Sequence, residues 1–191
     1  MANYVSRVAT PNVPAYAIVK ARVPASTTIT PGSLIALTQL DTGIENNWQV
    51  FVATQPATAN LGVQMAIVIN DGFETLADGR RPAGQPDYTQ YTYAAGDVVT
   101  CVLLVPGLVF EISVDCVTNG TSLVAGDFIE PVNGSYQGSR VEAGTGQTAG
   151  TMSGLKVLYA NKNFRLGGQF GGNFATTVVA MAVPPKVSAG G

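Results

Sequence analysis

Histidine is absent from this 191-residue sequence, and charged residues of either sign are scarce. Without histidine the chain has no Ser-His-Asp triad, no imidazole general base and no histidine metal ligand. Asp, Glu, Lys and Arg make up 12% of the residues, about half of the usual ~25%. We therefore expect a protein that is not an enzyme, with a surface rich in the neutral and apolar atoms that protein partners cover.

An excess of basic residues and a long apolar run are also missing. The net charge is −2, so there is no basic footprint for nucleic acid or anionic lipid. The longest apolar stretch, Val98 to Phe110, is interrupted by Pro106-Gly107 and is shorter than the ~20 residues that cross a membrane. Residues 1–7 have neither a basic segment nor an apolar run after it. We expect a soluble protein made in a cytosol, with no nucleic-acid or membrane partner.

The chain contains only two cysteines, Cys101 and Cys116. Two thiolates alone cannot complete a tetrahedral zinc site, and we expect no metal or other cofactor. If Pro106-Gly107 is the turn of a β-hairpin, the two cysteines lie on one face but four residues apart along the ladder, roughly 13 Å. A disulfide needs Cα atoms within about 7 Å. The sequence therefore predicts two reduced, buried thiols.

Glycine and proline are abundant, with 22 and 11 residues, and they leave little room for long helices. Short apolar runs rich in Val and Thr lie between them and predict strands. The fold class is all-β, a single β-barrel or a β-tulip-like or sandwich domain. The candidate strands are Ala15–Arg22, Ser33–Leu40, Trp48–Ala53, Leu61–Ile69, Tyr88–Tyr93, Val98–Val105, Leu108–Cys116, Leu155–Ala160 and Phe174–Val183.

Three short segments place a glycine turn directly before an apolar strand. They are Pro31-Gly32-Ser33, Ala95-Gly96-Asp97 and Ala125-Gly126-Asp127. Glycine adopts the positive φ of such a turn without strain, and the following Ser or Asp side chain can bond back to the backbone. The sequence predicts that these three strands begin in the same way.

The chain divides into an arm, one β domain and a tail. Residues 1–14 read as an extended N-terminal arm that becomes ordered only against a partner, and residues 184–191 as a flexible C-terminal tail. The β domain covers residues 15–183, with long loops at about 71–87 and 133–154. Loops of this length are usually functional or flexible.

One triplet, Asp41-Thr42-Gly43, has a catalytic appearance, because aspartic proteases carry Asp-Thr-Gly. A single copy would need a homodimer, and the surrounding residues favour an ordinary turn. A dimeric aspartic protease through Asp41 is therefore a remote alternative. Glu74, Asp78 and Asp87 share one loop and could hold a hard cation, although loop carboxylates are more often only solvated.

Partner contacts are predicted where aromatic and arginine residues cluster. Tyr88, Tyr91 and Tyr93 follow Arg80 and Arg81, a composition that is typical of interfaces. The same tyrosines would also suit carbohydrate stacking, or simply the outer face of a barrel strand. In the arm, the candidate contacts are Arg7, Pro11 and Pro14.

The succession of turns and strands resembles that of tailed-bacteriophage capsid decoration proteins, also called cement or head-stabilising proteins. The resemblance covers about residues 28–130. It is carried by the segments PGSLIAL (31–37), WQVFVA (48–53), LGVQMAIV (61–68), AAGDVV (94–99) and VPGLVF (105–110).

This resemblance implies a function and a location. It implies a structural virion protein on the capsid exterior, made in the host cytoplasm, that binds the assembled major capsid protein. It also implies a homo-oligomer, with a trimer favoured. The alternative is a phage tail or fibre adhesin that binds carbohydrate.

Overall fold

The computed structural model describes residues 4, 6–10, 13–42, 50–57, 63–70, 92–148, 150–165 and 174–186. Within these residues helical structure is limited to three-residue 3-10 turns such as Val114–Cys116, and the predicted all-β class is confirmed. The strands are β1 (Ser6–Val8), β2 (Ile18–Arg22), β3 (Leu34–Leu40), β4 (Val50–Thr54), β5 (Met65–Val68), β6 (Val98–Leu103), β7 (Val109–Ser113), β8 (Val117–Thr118), β9 (Phe128–Glu130), β10 (Gly138–Val141), β11 (Gly154–Arg165) and β12 (Phe174–Val183).

Five strands close into a barrel in the order β2-β4-β3-β5-β6. The β2–β4 pair is parallel, and the other four pairs are antiparallel. A closed barrel has no free strand edges, so this unit offers partners its outer face and its ends.

The other seven strands form a curled, half-barrel sheet in the order β1-β7-β12-β11-β9-β10-β8. Neighbouring strands are antiparallel except for β10 and β8. Unlike the barrel, this sheet is open, with β1 at one end and β8 at the other.

The barrel and the sheet share one continuous apolar layer. Along β3 and β5, alternate residues such as Ile35 and Ala66 fill the barrel interior. Their neighbours, such as Leu34 and Ile67, point the other way and pack with the sheet residues Phe110 and Leu155. Since β3 and β5 bury residues on both faces, they read in the sequence as unbroken apolar runs rather than as alternating patterns.

The prediction of a hairpin between Val98 and Cys116 is wrong, because the two strands do not pair with each other. A turn does form at Pro106-Gly107, where Leu108 N–H donates to Val105 C=O at 3.1 Å. However, β6 pairs with β2 and β5 in the barrel, whereas β7 pairs with β1 and β12 in the sheet. The chain crosses here from one unit to the other, and the two strands on either side of the turn diverge.

Both cysteines are nevertheless free and buried, as predicted, although the hairpin register is not the reason. Cys101 lies in the barrel interior. Cys116 lies under the sheet, with its Sγ 3.2 Å from Pro31 O and 3.1 Å from Ser113 Oγ. The two thiols therefore belong to different clusters of the core.

We expect neither thiol to react with a thiol reagent in native buffer and both to react after denaturation, because only the unfolded chain exposes them. Titration with a chromogenic disulfide reagent measures this. Fast labelling of either cysteine in the folded protein, or a native mass two hydrogens below the reduced mass, would contradict the burial.

The three predicted glycine turns share one geometry. Gly32, Gly96 and Gly126 have φ of +85°, +90° and +98°, the glycine position of a type II turn. The residue two before each glycine donates its N–H to the side chain that follows the glycine: Thr30 to Ser33, Ala94 to Asp97 and Val124 to Asp127. Each glycine N–H also donates to the carbonyl of a distant valine, Val68 in β5, Val23 directly after β2 and Val157 in β11 respectively. The same device thus fixes turns in both units.

Part of the predicted arm is a strand of its own chain's sheet. Ser6, Arg7 and Val8 pair with Ile112, Glu111 and Phe110 on β7, and Ser6 is fully buried. Ser6–Val8 therefore has a position in the sheet of its own chain.

The predicted loop at 133–154 also contains regular structure, because it includes β10. The start of the predicted tail is held beside it by an isolated bridge between Thr151 and Lys186. The other predicted loop, at 71–87, lies outside the described residues.

Candidate functional site

The predicted contact residues do not come together as one site in the described part of the chain. Pro11, Arg80, Arg81, Tyr88 and Tyr91 lie outside it. Pro14 precedes β2, and its carbonyl accepts the Ala17 N–H at 2.8 Å, so it caps a 3-10 turn.

Tyr93 is a core residue and not the exposed contact that the sequence suggested. Its side chain is only 7% exposed and packs in the barrel cluster. Its hydroxyl donates to Ile69 C=O at 3.3 Å, and its backbone bridges to Ile29. The ring therefore belongs to the barrel core together with Ile29.

Arg7 anchors β1 through a buried carboxylate. Its Nε and Nη2 donate to Glu111 Oε2 at 2.9 and 2.5 Å, and Thr177 Oγ1 donates to Glu111 Oε1 at 2.8 Å. Glu111 is 1% exposed, whereas the Arg7 side chain is 48% exposed. The Arg7 guanidinium thus binds within its own sheet. Together with the Thr177 hydrogen bond, this ion pair joins β1, β7 and β12, which lie far apart in the sequence.

A second buried carboxylate, Asp127, closes the turn before β9. It accepts hydrogen bonds from Arg140 Nε at 2.7 Å and from the backbone N–H groups of Val124 and Ala143, both at 3.0 Å. Burial by itself raises the pKa of this carboxyl group, but the Arg140 and backbone donors outweigh it and hold the pKa below 3.8. Asp127 therefore stays charged and ties β10 to β9.

Asp41 directly follows β3, and Arg22 Nε pairs with its Oδ2. Among the described residues, a cation therefore pairs with this carboxylate. An aspartic protease needs instead a second carboxylate that shares a proton with the first. Within the described residues no group of three or more Cys, Asp or Glu is placed to hold a metal ion, and the cation loop with Glu74, Asp78 and Asp87 lies outside them.

A polar groove of about 320 Å³ lies at the junction of the two units. Tyr4, Gln55, Asp115, Tyr136 and Gln137 contribute to its walls. The Tyr136 hydroxyl donates to Ala53 C=O at 2.7 Å, and burial raises the pKa of this phenol. Since the groove residues come from five separate segments, no local pattern in the sequence could have revealed it.

Large apolar side chains are exposed on both units. Tyr16 is 71% exposed and Tyr159 is 59% exposed. On or beside the barrel strands the exposed side chains are Tyr16, Ile18, Leu40 and Val98, and near β9 and β11 they are Val124, Leu158 and Tyr159. The chain thus exposes large apolar side chains on both units while only 12% of its residues are charged.

No protein-family model matches the chain, and no curated protein matches it. None of the helices in the part of the chain that the structure describes is long and apolar enough to cross a membrane.

Proposed function

We propose that this chain is a structural virion protein that binds the outer surface of an assembled phage capsid and stabilises it. The observation that carries the proposal is the exposure of large apolar side chains on both β units of a chain with 12% charged residues. Covering such a surface with a partner lowers the free energy by about 25 cal/mol for each Å² of apolar area buried.

The architecture suits a binding role on a shell. The barrel and the sheet share a continuous core, so the two units present their outer faces as one body. In the described residues the two most buried carboxylates, Glu111 and Asp127, are engaged in internal ion pairs. On this proposal the protein performs no turnover, and its partner is the major capsid protein.

A tail or fibre adhesin that binds carbohydrate is the second candidate. The groove at the junction favours it, because two tyrosines, two amides and one carboxylate are the groups that hydrogen-bond and stack on sugars. Binding of a panel of host-surface glycans, lost in Asp115→Ala and kept in Asp97→Ala, would move this candidate ahead.

For the capsid proposal, we expect the purified chain to co-sediment with capsids from which it has been removed. Because few charges are available, the affinity should change little between low and moderate salt. A saturation titration at two salt concentrations measures this. Absence of saturable binding would contradict the proposal, and a steep fall with salt would contradict the apolar contact.

A further inference from the structure

The outer face of the sheet carries a row of mostly apolar side chains that crosses five strands. Strand pairing sets the following residues side by side on β10, β9, β11, β12 and β7: Val141, Phe128, Lys156, Met181 and Val109. Residues directly opposite one another in a sheet point to the same side. This side faces away from the barrel, because the alternate residues Leu155 and Ala180 point into the core. At about 4.8 Å between strands the row is roughly 19 Å long.

A second row runs beside the first and adds a large exposed side chain. It consists of Tyr159, Val179, Glu111 and Arg7 on β11, β12, β7 and β1. Tyr159 is 59% exposed, and the Arg7–Glu111 ion pair at the other end cancels its own charge. We call these two rows the sheet face.

Lys156 is the single uncompensated charge of the sheet face in the described part of the chain. Its side chain is exposed, and its ammonium lies 5.8 Å from the centroid of the Phe128 ring, within reach of a cation–π contact. The carboxylates on or beside β9 and β10 have other partners: Asp127 and Glu142 bind Arg140, and Glu130 accepts the Thr148 N–H. The sheet face therefore presents one cation among apolar side chains.

A second apolar face lies on the far side of the barrel. β3 and β5 pack on the sheet, and the strand order β2-β4-β3-β5-β6 places β2 across the closed barrel from them. Ala21 of β2 points into the barrel, so Ile18 and its alternate neighbours point outward, away from the sheet. Tyr16, Ile18 and Val98 are 71%, 46% and 43% exposed. We call the outward side chains of this region the barrel face: Tyr16, Ile18, Lys20, Arg22 and Val98.

The barrel face has no net charge, because two carboxylates beside it balance Lys20 and Arg22. The first carboxylate, Asp41, pairs with Arg22. The second, Asp97, directly precedes Val98; it accepts a backbone N–H and has no ion pair among the described residues. Asp97 is only half-buried and can pair with a cation from a partner.

A second copy of this chain is the occupant that matches both faces. Contact between two sheet faces would bring two Lys156 ammonium groups together, and like charges opposed at an interface cost free energy. Contact between two barrel faces would leave the sheet face uncovered. A sheet face on a barrel face instead sets apolar side chains against apolar side chains, and Lys156 meets a neutral face that carries the Asp97 carboxylate.

We propose that the sheet face of one copy binds the barrel face of another copy, head to tail. Apolar contact through Tyr159, Ile18 and Val98 supplies the affinity, and the pairing of Lys156 with Asp97 favours this orientation. Because the two faces lie on opposite sides of one body, the contact does not close on itself as a two-fold dimer does, and it links copies in a row.

This contact goes beyond the proposed function and does not depend on it, because it joins copies in solution as well as neighbouring copies on a shell. On a shell, neighbouring copies would cover part of the exposed apolar surface, while Leu40 and Val124, which belong to neither face, remain for the shell protein. Since the contact is mainly apolar, its affinity, like the affinity for capsids, should change little between low and moderate salt.

Sedimentation velocity of the full chain measures the contact. The weight-average sedimentation coefficient should rise as the protein concentration goes from about 10 to about 500 μM, the range for a contact at the small end of protein interfaces. Lys156→Glu and Ile18→Lys, one on each face, should each weaken self-association about fivefold. Lys186→Glu changes the net charge by the same amount as Lys156→Glu but lies outside both faces, and it should have no effect.

A mixture of the two face variants tests whether the two faces meet each other. Ile18→Lys supplies a cationic barrel face for the anionic sheet face of Lys156→Glu, and the other pair of faces in the mixture is unchanged. The equimolar mixture should therefore recover the wild-type association. Thermal unfolding of each variant alone separates loss of association from loss of fold. Tyr159→Ser, which changes no charge, is a second sheet-face variant and should weaken association about threefold.

A constant sedimentation coefficient up to about 500 μM, face variants without effect, or a mixture that stays dissociated would overturn the proposal. So would a mixture of Lys156→Glu with wild type that associates more strongly than wild type alone, because that result shows two sheet faces in contact. Capsid binding is scored separately. Binding without self-association contradicts the contact and leaves the proposed function standing, whereas self-association with rescue but without capsid binding does the reverse.

Discussion

Replacing Arg7 by methionine should lower the free energy of unfolding by about 2 kcal/mol. The reason is that Glu111 is almost fully buried and that Arg7 is a two-donor partner of its carboxylate. The loss stays below the 3–5 kcal/mol typical of breaking a fully buried pair, because nearly half of the Arg7 side chain is in solvent. Urea denaturation followed by fluorescence measures the change.

Two controls show whether the buried charge of Glu111 causes the loss of stability in Arg7→Met. Arg22→Met breaks an ion pair with Asp41, but the Asp41 side chain is 11% exposed against 2% for Glu111, so the carboxylate left behind reaches water and this change should cost less than about 1 kcal/mol. In the double variant Arg7→Met/Glu111→Gln, a neutral amide replaces the buried charge, so about half of the lost stability should return. An Arg7→Met effect no larger than that of Arg22→Met would show that β1 is not anchored in this way.

The second large effect is expected at Asp127, where replacement by asparagine should lower the free energy of unfolding by about 2 kcal/mol at neutral pH. The change removes the charge that Arg140 and two backbone N–H groups stabilise. Asp97→Asn is the matched control: Asp97 occupies the same position in the same type of turn and accepts the Ala94 N–H, but no ion pair with it is seen among the described residues. Its effect should be clearly smaller.

The contribution of Asp127 to the free energy of unfolding should also decrease at low pH. Its pKa in the folded protein lies below 3.8, the value expected in the unfolded chain. The unfolded state therefore binds the proton more tightly, and the stabilisation is complete above pH 3.8 and is lost as the pH falls through the folded-state pKa. The stability difference between wild type and Asp127→Asn should shrink on acidification, and a constant difference from pH 6 to pH 2.5 would contradict the assignment.

Local features of the fold could be predicted from the sequence. β12 has the predicted bounds of Phe174–Val183, and β3 starts one residue after the predicted Ser33. The three glycine turns form as expected because their hydrogen bonds connect residues three apart. Features of this kind depend on a few neighbouring residues, and composition and turn chemistry are enough to specify them.

Pairing between distant strands could not be predicted in this way. A Pro-Gly turn has the same sequence whether the strands beside it pair with each other or, as β6 and β7 do, enter different sheets. Glu111 reads as an outward residue of an alternating strand, and its burial depends on Arg7, 104 positions away. Likewise the groove arises only when separate segments of the chain meet.

The central claim is that the chain stabilises a capsid from outside. The temperature at which the particles break open on heating tests this claim most directly. Each bound copy stabilises the bound state by about 2.7 kcal/mol at a hundredfold excess over Kd, and many copies act together on one shell. Particles stripped of the protein should fail at a lower temperature than complete ones, and adding the purified chain back should restore the difference. If stripped and complete particles fail at the same temperature and the chain does not rebind, the account is wrong.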